Sequence, residues 1–260
     1  MFSLNNIFKR VKKTLELSLV LARAEFKLRN EGSYLGILWY LLNPIFTFAI
    51  LFLVFYDRLG KDIMFYPIYL MVGVIMFNSF QNVTIESTKS IIQEHRWLIK
   101  SINFPQESLI IAIVLKNIFS HFFEFLLLAC LMIYMKVSLI GLVFYLLVFL
   151  FFEIFVLGIS LILSSLTVYF VDIENVWNFA ARILWLATPI FYAIEGQNRL
   201  LALNYLNPMY YFITFARSGV ITTRLPEPLI IGGTFLFSML FLAIGIIFFR
   251  IFKNKFAEKV

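Results

Sequence analysis

Long apolar runs separated by short charged stretches dominate the pattern of residues along this chain. A helix needs roughly 20 apolar residues to cross the hydrocarbon core of a bilayer. Six windows of about that length or longer carry few or no charges: 32–56, 63–86, 105–135, 138–171, 175–194 and 228–251. We therefore expect an all-α membrane protein, with a domain of six transmembrane helices over residues 32–260.

The first 30 residues have a different pattern, in which apolar positions recur every three or four residues. Leu15 and Leu19 belong to one such face, and the lysines of this stretch fall largely outside it. The pattern predicts an amphipathic helix over residues 1–30 that lies in the membrane interface. A cleavable signal peptide is rejected, because Glu16 interrupts the apolar stretch and Arg23 occupies the would-be cleavage site.

Residues 198–219 form another apolar stretch, which is shorter and broken in its middle. Asn204, Asn207 and Pro208 stand where a continuous span would need apolar helix formers. We predict two short helices here that dip into the membrane from one side, which we call the re-entrant pair. Such backbone survives at membrane depth only where it is buried against protein or lines a wet cavity.

Composition supports the membrane assignment and excludes several classes of protein. Hydrophobic residues make up 62% of the chain, charged residues 14%, and the mean hydropathy is +0.90. A soluble domain averages nearer 45–50% apolar residues, so a soluble enzyme and a disordered chain are both excluded. The single cysteine, Cys130, excludes an internal disulfide.

The net charge of +7 predicts orientation and not nucleic-acid binding. Lysine and arginine are concentrated in the first 32 residues, in the loop 86–107 and in the C-terminal tail, at the ends of apolar runs. The excess of these residues marks the cytoplasmic side of a membrane protein. We therefore expect both termini in the cytoplasm and no nucleic-acid partner.

Four stretches, in order and correctly spaced, resemble segments of type-2 ABC exporter permeases. The resemblance is strongest to the subfamily that exports O-antigen, capsule polysaccharide or teichoic acid, and it runs over nearly the whole chain. The four stretches are Lys27–Pro44, Leu98–Glu107, Leu166–Asp172 and Leu206–Gly219. Two positions depart from the family pattern: Val171 replaces the arginine of an "RD" pair, and Ser101 replaces the second lysine of "LIKK".

The resemblance implies a multi-pass transport subunit of the bacterial cytoplasmic (inner) membrane that exports a lipid-linked polysaccharide. The chain lacks a G-x-x-x-x-G-K-[ST] loop, so we expect no cofactor in this chain and no enzymatic activity of its own. A separate ATP-binding subunit, in two copies, is expected to hold ATP and Mg²⁺ and to serve a homodimer of this chain. The alternatives are a type-2 ABC permease for a drug or a lipid, and a proton-coupled carrier that uses His121, Glu124 and Glu153.

Three groups of residues are candidates for contact with the ATPase or the polymer. Residues 90–100 are the predicted coupling helix that docks on the ATPase, through Gln93, Glu94, His95, Arg96 and Trp97. The family resemblance implies a channel lined by the aromatic residues of spans one and five: Trp39, Tyr40, Trp177, Trp185, Phe191 and Tyr192. For each of these aromatics a place in a lipid-facing belt is the open alternative. Tyr210, Tyr211, Phe212 and Phe215 of the re-entrant pair are the predicted extracellular gate, with Arg217 as an interface anchor.

Polar residues inside the predicted spans form the last group of candidates. They are Lys116, His121, Glu124, Glu153 and Arg182. Charges in hydrocarbon are costly, so such residues pair with one another or carry a function. We expect Glu124 and Glu153 to be structural partners of Lys116 or Arg182, with a proton relay and, for Arg182, a place facing the pore as the alternatives. We predict no metal site, because no cluster of His, Asp, Glu or Cys has ligand spacing.

Overall fold

A computed structural model describes residues 4–31, 34–102, 104–194, 198–253 and 256. Within these ranges the chain is helical and contains no strand. Its helices are α1 (Leu4–Asn30), α2 (Trp39–Phe55), α3 (Tyr66–Lys89), α4 (Arg96–Ser101), α5 (Glu107–Tyr134), α6 (Gly141–Thr167), α7 (Ile173–Ala187), α8 (Asn198–Asn204), α9 (Pro208–Arg217) and α10 (Pro228–Phe252). The expected all-α membrane architecture is confirmed at this level.

Five helical segments are long and apolar enough to cross a membrane. They contain α2, α3, α5, α6 and α10, and two of them gain a π-helical turn at the end of α2 (Tyr56–Gly60) and of α3 (Ser90–Glu94). The fifth predicted span, 175–194, is helical only as far as Ala187. Pro189 cannot continue a helix, and Thr188 before it is extended (φ −81°, ψ 135°).

Helix α1 packs lengthwise against α5. Thr14, Ser18 and Ala22, spaced four residues apart, are buried and form a stripe of small side chains that permits close approach. The larger apolar residues Leu15 and Leu19 remain exposed. This face suits contact with lipid at the membrane surface, so the structure places the apolar and packing faces of α1 side by side.

Helices α3, α6, α9 and α10 enclose the core, with α3 the most buried of the spans. The backbones of α6 and α10 touch at Gly158 and Gly245, where a side chain on either residue would collide with the facing helix. Helices α2 and α10 are the least covered, with only 11% and 17% of their apolar windows buried. Their remaining surfaces are open to lipid or to another protein.

The predicted re-entrant pair corresponds to α8 and α9. The break falls at Asn207, whose side-chain Oδ1 accepts a hydrogen bond of 3.0 Å from the backbone N–H of Met209. Pro208 then occupies the first turn of α9, where it costs no hydrogen bond. Most side chains of α9 are buried among α3, α6 and α10, as the sequence requires of a short helix between spans.

Candidate functional site

The predicted coupling helix is two elements and not one. Residues Ser90–Glu94 continue α3 as a π-helical turn, the chain bends at His95, and α4 follows. Ile91 and Ile99 hold this segment to the protein by burying their side chains. Trp97 projects outwards with 67% of its side chain exposed, and Arg96 is exposed beside it. The bend therefore presents a large aromatic residue on an otherwise anchored segment.

Behind this bend lies a cluster of charged side chains from four different segments, Glu25, Glu86, His95 and Lys116, which we call the charge cluster. Lys116 Nζ of α5 donates to Glu25 Oε2 of α1 over 3.0 Å and also to Glu86 Oε1 of α3. His95 Nε2 lies 3.2 Å from Glu25 Oε1. The cluster thus connects the N-terminal helix, two spans and the bend.

The electrostatics of the cluster favour the charged forms of His95 and Glu25. Burial lowers the pKa of His95, but the Glu25 carboxylate and the Ser90 carbonyl outweigh it and the pKa is raised. Burial likewise raises the pKa of Glu25, but His95 and Lys116 outweigh it and the pKa is lowered. His95 Nδ1 also lies 3.0 Å from Ser90 O, so both ring nitrogens face acceptors. Only the imidazolium can donate from both nitrogens.

An open cavity of about 510 Å³ adjoins the charge cluster. The rest of its lining consists of Leu28, Asn82, Ile85, Lys89 and Glu94. On the far side of the bend, Gln93 Nε2 donates to Glu174 Oε2 over 2.8 Å, and Lys89 Nζ lies 3.1 Å from Glu174 Oε1. Glu174 is in the first turn of α7, so the bend also contacts the start of the fifth predicted span.

The polar residues inside the spans form pairs that differ from the predicted ones. His121 Nδ1 lies 2.7 Å from Glu124 Oε2, and His121 Nε2 lies 2.9 Å from the hydroxyl of Tyr145. Glu153 Oε1 accepts from Ser79 and Asn117, each over 3.3 Å.

The predicted pairing of Glu124 and Glu153 with Lys116 or Arg182 is therefore wrong. Lys116 pairs with carboxylates from α1 and α3, and Arg182 is exposed. The prediction considered only the charged residues and His121 within spans, and so missed the neutral partners Ser79, Asn117 and Tyr145. Among the residues that the structure describes, no group of three or more His, Cys, Asp or Glu could hold a metal ion.

A second and larger cavity, of about 840 Å³, lies at the opposite end of the molecule, between the α2–α3 connection and the re-entrant pair. Of the four predicted gate residues only Tyr210 lines it. Phe212 is fully buried between Phe152 and Phe155 of α6, and Tyr211 and Phe215 are also buried. These three side chains belong to the core in this conformation, and the role of the four residues as an extracellular gate stays a prediction.

The predicted interface anchor, Arg217, is also placed differently. Its side chain is only 6% exposed, and it donates three hydrogen bonds to backbone carbonyls. The prediction of a side chain at the membrane surface is therefore wrong. The reason is that the last residue of α9 faces α3 and the segment that follows α7. In that segment the carbonyls of Pro189 and Ile190 lie outside a helix and accept hydrogen bonds from the guanidinium.

The aromatic residues predicted to line a channel fall into two sets. Tyr40 stacks between Phe26 and Phe123, with ring centroids 5.5 and 6.1 Å away, whereas Trp39 is half-exposed at the start of α2. The second set lies on or after α7: Trp177, Trp185, Phe191 and Tyr192 are all partly exposed. Trp185, Phe191 and Tyr192 form a continuous series of ring contacts at 5.3–5.4 Å.

Comparison with known proteins places this geometry in context. Residues 16–221 match the family model described as ABC-2 type transporter. An "O-antigen export system permease protein RfbA" of Myxococcus xanthus is 27% identical over 250 residues, which cover 94% of this chain and 95% of that protein. A protein of the same name from Klebsiella pneumoniae is 27% identical over 254 residues, which cover 94% of each chain.

Proposed function

Because the chain belongs to the ABC-2 type transporter family, we propose that it is the permease subunit of an ATP-driven exporter of a lipid-linked polysaccharide of the O-antigen type. The observation that carries the proposal is the similarity to permeases named for O-antigen export over 94% of the chain. The motifs that resemble this subfamily lie on α2, on the bend after α3, at the end of α6 and on α9. Of these motif segments, the one on α9 contributes Tyr210, Thr214 and Arg217 to the lining of the cavity of about 840 Å³.

The energy for transport comes from a separate subunit in this proposal. The sequence has no loop that would cradle the phosphates of ATP, so ATP and Mg²⁺ bind to the partner. Two copies of this chain enclose the pathway at a two-fold axis and engage two copies of the ATPase, since closed two-fold assemblies are the commonest oligomers. The poorly covered surface of α2 is available for contact with the second copy.

The bend after α3 is the proposed docking site for the ATPase. Trp97 and Arg96 are exposed there, and both residue types are frequent at the energetic centre of protein interfaces. The segment behind them is fixed to α1, α5 and α7 through Glu25, Lys116 and Glu174. A movement of the bound ATPase at Trp97 is therefore transmitted to α1, α5 and α7.

The proposed topology has six crossings, with both termini in the cytoplasm of the bacterial cell. Helix α7 and the segment after it make the fifth crossing, and the re-entrant pair lies on the extracellular side beside the cavity of about 840 Å³. The half-exposed aromatics of α2 and α7 line the polymer pathway in this arrangement. Aromatic rings bind the apolar faces of sugars without demanding one hydroxyl pattern, which suits a sliding polymer.

Co-expression with candidate ATPases, followed by purification of this chain and measurement of surface polysaccharide in a deletion strain, tests the proposal. We expect an ATPase to co-purify, and the deletion to keep polymer inside the cell. An ATPase variant that lacks its phosphate-binding lysine is the matched control and fails to restore export. Transport by the purified chain alone, or ATP binding to it, would contradict the proposal.

A further inference from the structure

Five consecutive residues after α7, Thr188–Tyr192, are each held by a side chain from another element. Asn207 Nδ2 donates to Thr188 Oγ1 over 2.8 Å. Arg217 donates from Nη1 to Pro189 O and from Nη2 to Ile190 O, over 2.6 and 2.7 Å. The hydroxyls of two tyrosines of α3 donate to the next two carbonyls, Tyr66 to Phe191 O over 2.9 Å and Tyr69 to Tyr192 O over 2.8 Å.

Arg217 is the centre of this arrangement, because it joins three segments. Its Nε donates to Tyr69 O of α3 over 2.9 Å, and its guanidinium lies 3.3 Å from the centre of the Tyr69 ring. The planar guanidinium offers donors in a fixed fork, which a lysine cannot reproduce. Burial of such a charge is costly, and the three backbone carbonyls that accept its hydrogen bonds stabilise the guanidinium.

Gly73 of α3 makes the close approach of Arg217 possible. A Cβ at this position would lie 2.6 Å from Arg217 Nη2 and 3.2 Å from Ile190 O. Any larger residue at position 73 would therefore displace the guanidinium or the segment that it holds. In contrast, a Cβ at Gly232 would meet nothing within 4 Å.

We propose that Arg217, Tyr66, Tyr69 and Asn207 are positioning residues that clamp Thr188–Tyr192 and thereby keep the extracellular end of the polymer pathway closed between transport cycles. The proposal rests on the proposed function. The clamped segment carries Phe191 and Tyr192, and both Tyr192 and Arg217 line the cavity of about 840 Å³. The clamp can open without unwinding a helix, since four of its bonds to the segment come from side chains to carbonyls outside helices.

Cysteine labelling tests the clamp on the full chain in right-side-out membrane vesicles. The reporter is Ala193→Cys, next to the clamped segment, in a Cys130→Ser background, and the probe is a membrane-impermeant maleimide. We expect Arg217→Lys and Gly73→Ala each to raise the labelling rate about tenfold, which corresponds to 1.4 kcal/mol. That is about the net contribution of one hydrogen bond. The matched controls Arg224→Lys and Gly232→Ala leave the rate unchanged.

A second reporter separates an open clamp from general unfolding. This reporter is Ser160→Cys, because Ser160 is fully buried in α6. We expect the cysteine to stay unlabelled in every clamp variant if only the clamp has opened. Where Arg217→Lys or Gly73→Ala fails to insert, the double variant Tyr66→Phe, Tyr69→Phe removes two bonds and keeps both rings.

The ATP dependence of the labelling rate distinguishes a clamp from a purely structural role, because a purely structural role would not change it. With the ATPase bound, hydrolysis raises Ala193→Cys labelling in the parent, whereas the clamp variants label fast without ATP. Parental labelling in an inserted Arg217→Lys or tyrosine double variant would overturn the clamp. The labelling without ATP needs no partner or polymer, so it judges the clamp even if the proposed function fails.

Discussion

At the scale of single residues, Lys116 is the counter-charge of two carboxylates on the α4 side of the protein. It is buried, and its ammonium serves one carboxylate of α1 and one of α3. Neither Glu25 nor Glu86 has solvent access comparable to that of a surface acid, since both side chains are mostly buried. The effect of a substitution at Lys116 therefore depends on the free-energy cost of leaving these two buried carboxylates without a counter-charge.

Lys116→Met keeps the length of the side chain and removes its charge. We expect the free energy of unfolding to fall by about 3–5 kcal/mol, the cost of leaving buried partners without a counter-charge. The thermal unfolding midpoint in detergent measures this. Lys61→Met is the control: Lys61 pairs with Asp57 on the surface over 3.0 Å, so its loss leaves the midpoint unchanged. An equal midpoint for Lys116→Met and the parent would contradict the buried pairing.

The pair of His95 and Glu25 predicts a dependence of stability on pH. The pKa of His95 is raised, so its contribution is complete below its ordinary value of 6.5 and is lost as the pH rises through the raised pKa. The pKa of Glu25 is lowered, so its contribution is complete above 4.5 and is lost as the pH falls through the lowered pKa. The pair therefore stabilises most between these two ordinary values.

His95→Gln removes the titrating group and keeps a hydrogen-bonding side chain. We expect the parent to be more stable than the variant at about pH 5.5, and the difference to shrink by about pH 8.5. Unfolding midpoints across this range measure it. A difference that grows with pH would show that His95 is neutral in the folded protein.

The sequence alone could identify these charged residues but not their partners. The spacing of Lys116 and Glu124 suggested a pair within span three, yet the partners of Lys116 lie 91 and 30 residues before it in the chain. The prediction for Arg217 was wrong for a similar reason. An arginine at the end of a helix near a membrane usually extends its side chain into water. Which way α5 and α9 turn depends on packing with other helices, and no local pattern encodes it.

At the scale of elements, the bend after α3 makes the sharpest prediction. Trp97→Ala removes a side chain that is 67% exposed and contributes little packing, so unfolding is unaffected. Loss of a tryptophan at the centre of an interface typically costs about 2 kcal/mol or more. We therefore expect co-purification and stimulation of the ATPase to be lost while insertion is retained. Glu94→Lys is expected to do the same by reversing a charge beside it.

Phe170→Ala is the matched control for that experiment. Phe170 follows α6 and is 64% exposed, close to the value for Trp97, but lies outside the docking segment. We expect this variant to bind the ATPase normally. Normal binding and export by Trp97→Ala would remove the bend from the interface, and loss of binding by Phe170→Ala would widen the interface to the start of α7.

The elements differ in how well their sequence predicts them. α2, α3, α5, α6 and α10 follow from apolar length alone, and Asn207-Pro208 marks the start of α9 by its capping chemistry. The end of α7 was missed although Pro189 signals it, because the apolar window continued to residue 194. The length of an apolar window shows only that a segment can enter the bilayer. A continuous helix also needs a backbone N–H at each position, which Pro189 lacks.

At the scale of the whole molecule, the number of crossings is open to direct measurement. In a Cys130→Ser background, we expect Asp172→Cys to react with impermeant reagents from the cytoplasmic side. Ser138→Cys and Leu225→Cys are expected to react from the extracellular side. All three positions are exposed. Reaction of residues 172 and 225 on the same side would show that α7 and the re-entrant pair do not make a crossing.

The packing of α1 on α5 has a consequence for how the protein is made. Glu25 leaves the ribosome 91 residues ahead of Lys116, which at 5–20 residues per second is a delay of roughly 5–20 s. During that interval the small-residue stripe of α1 has no α5 to pack against, and Glu25 has no lysine. We therefore expect α1 to stay at the membrane surface until span three has been inserted. The exposed leucines of α1 can contact lipid during this interval. The apolar face of α1 therefore has a role in membrane insertion before it has one in the finished protein.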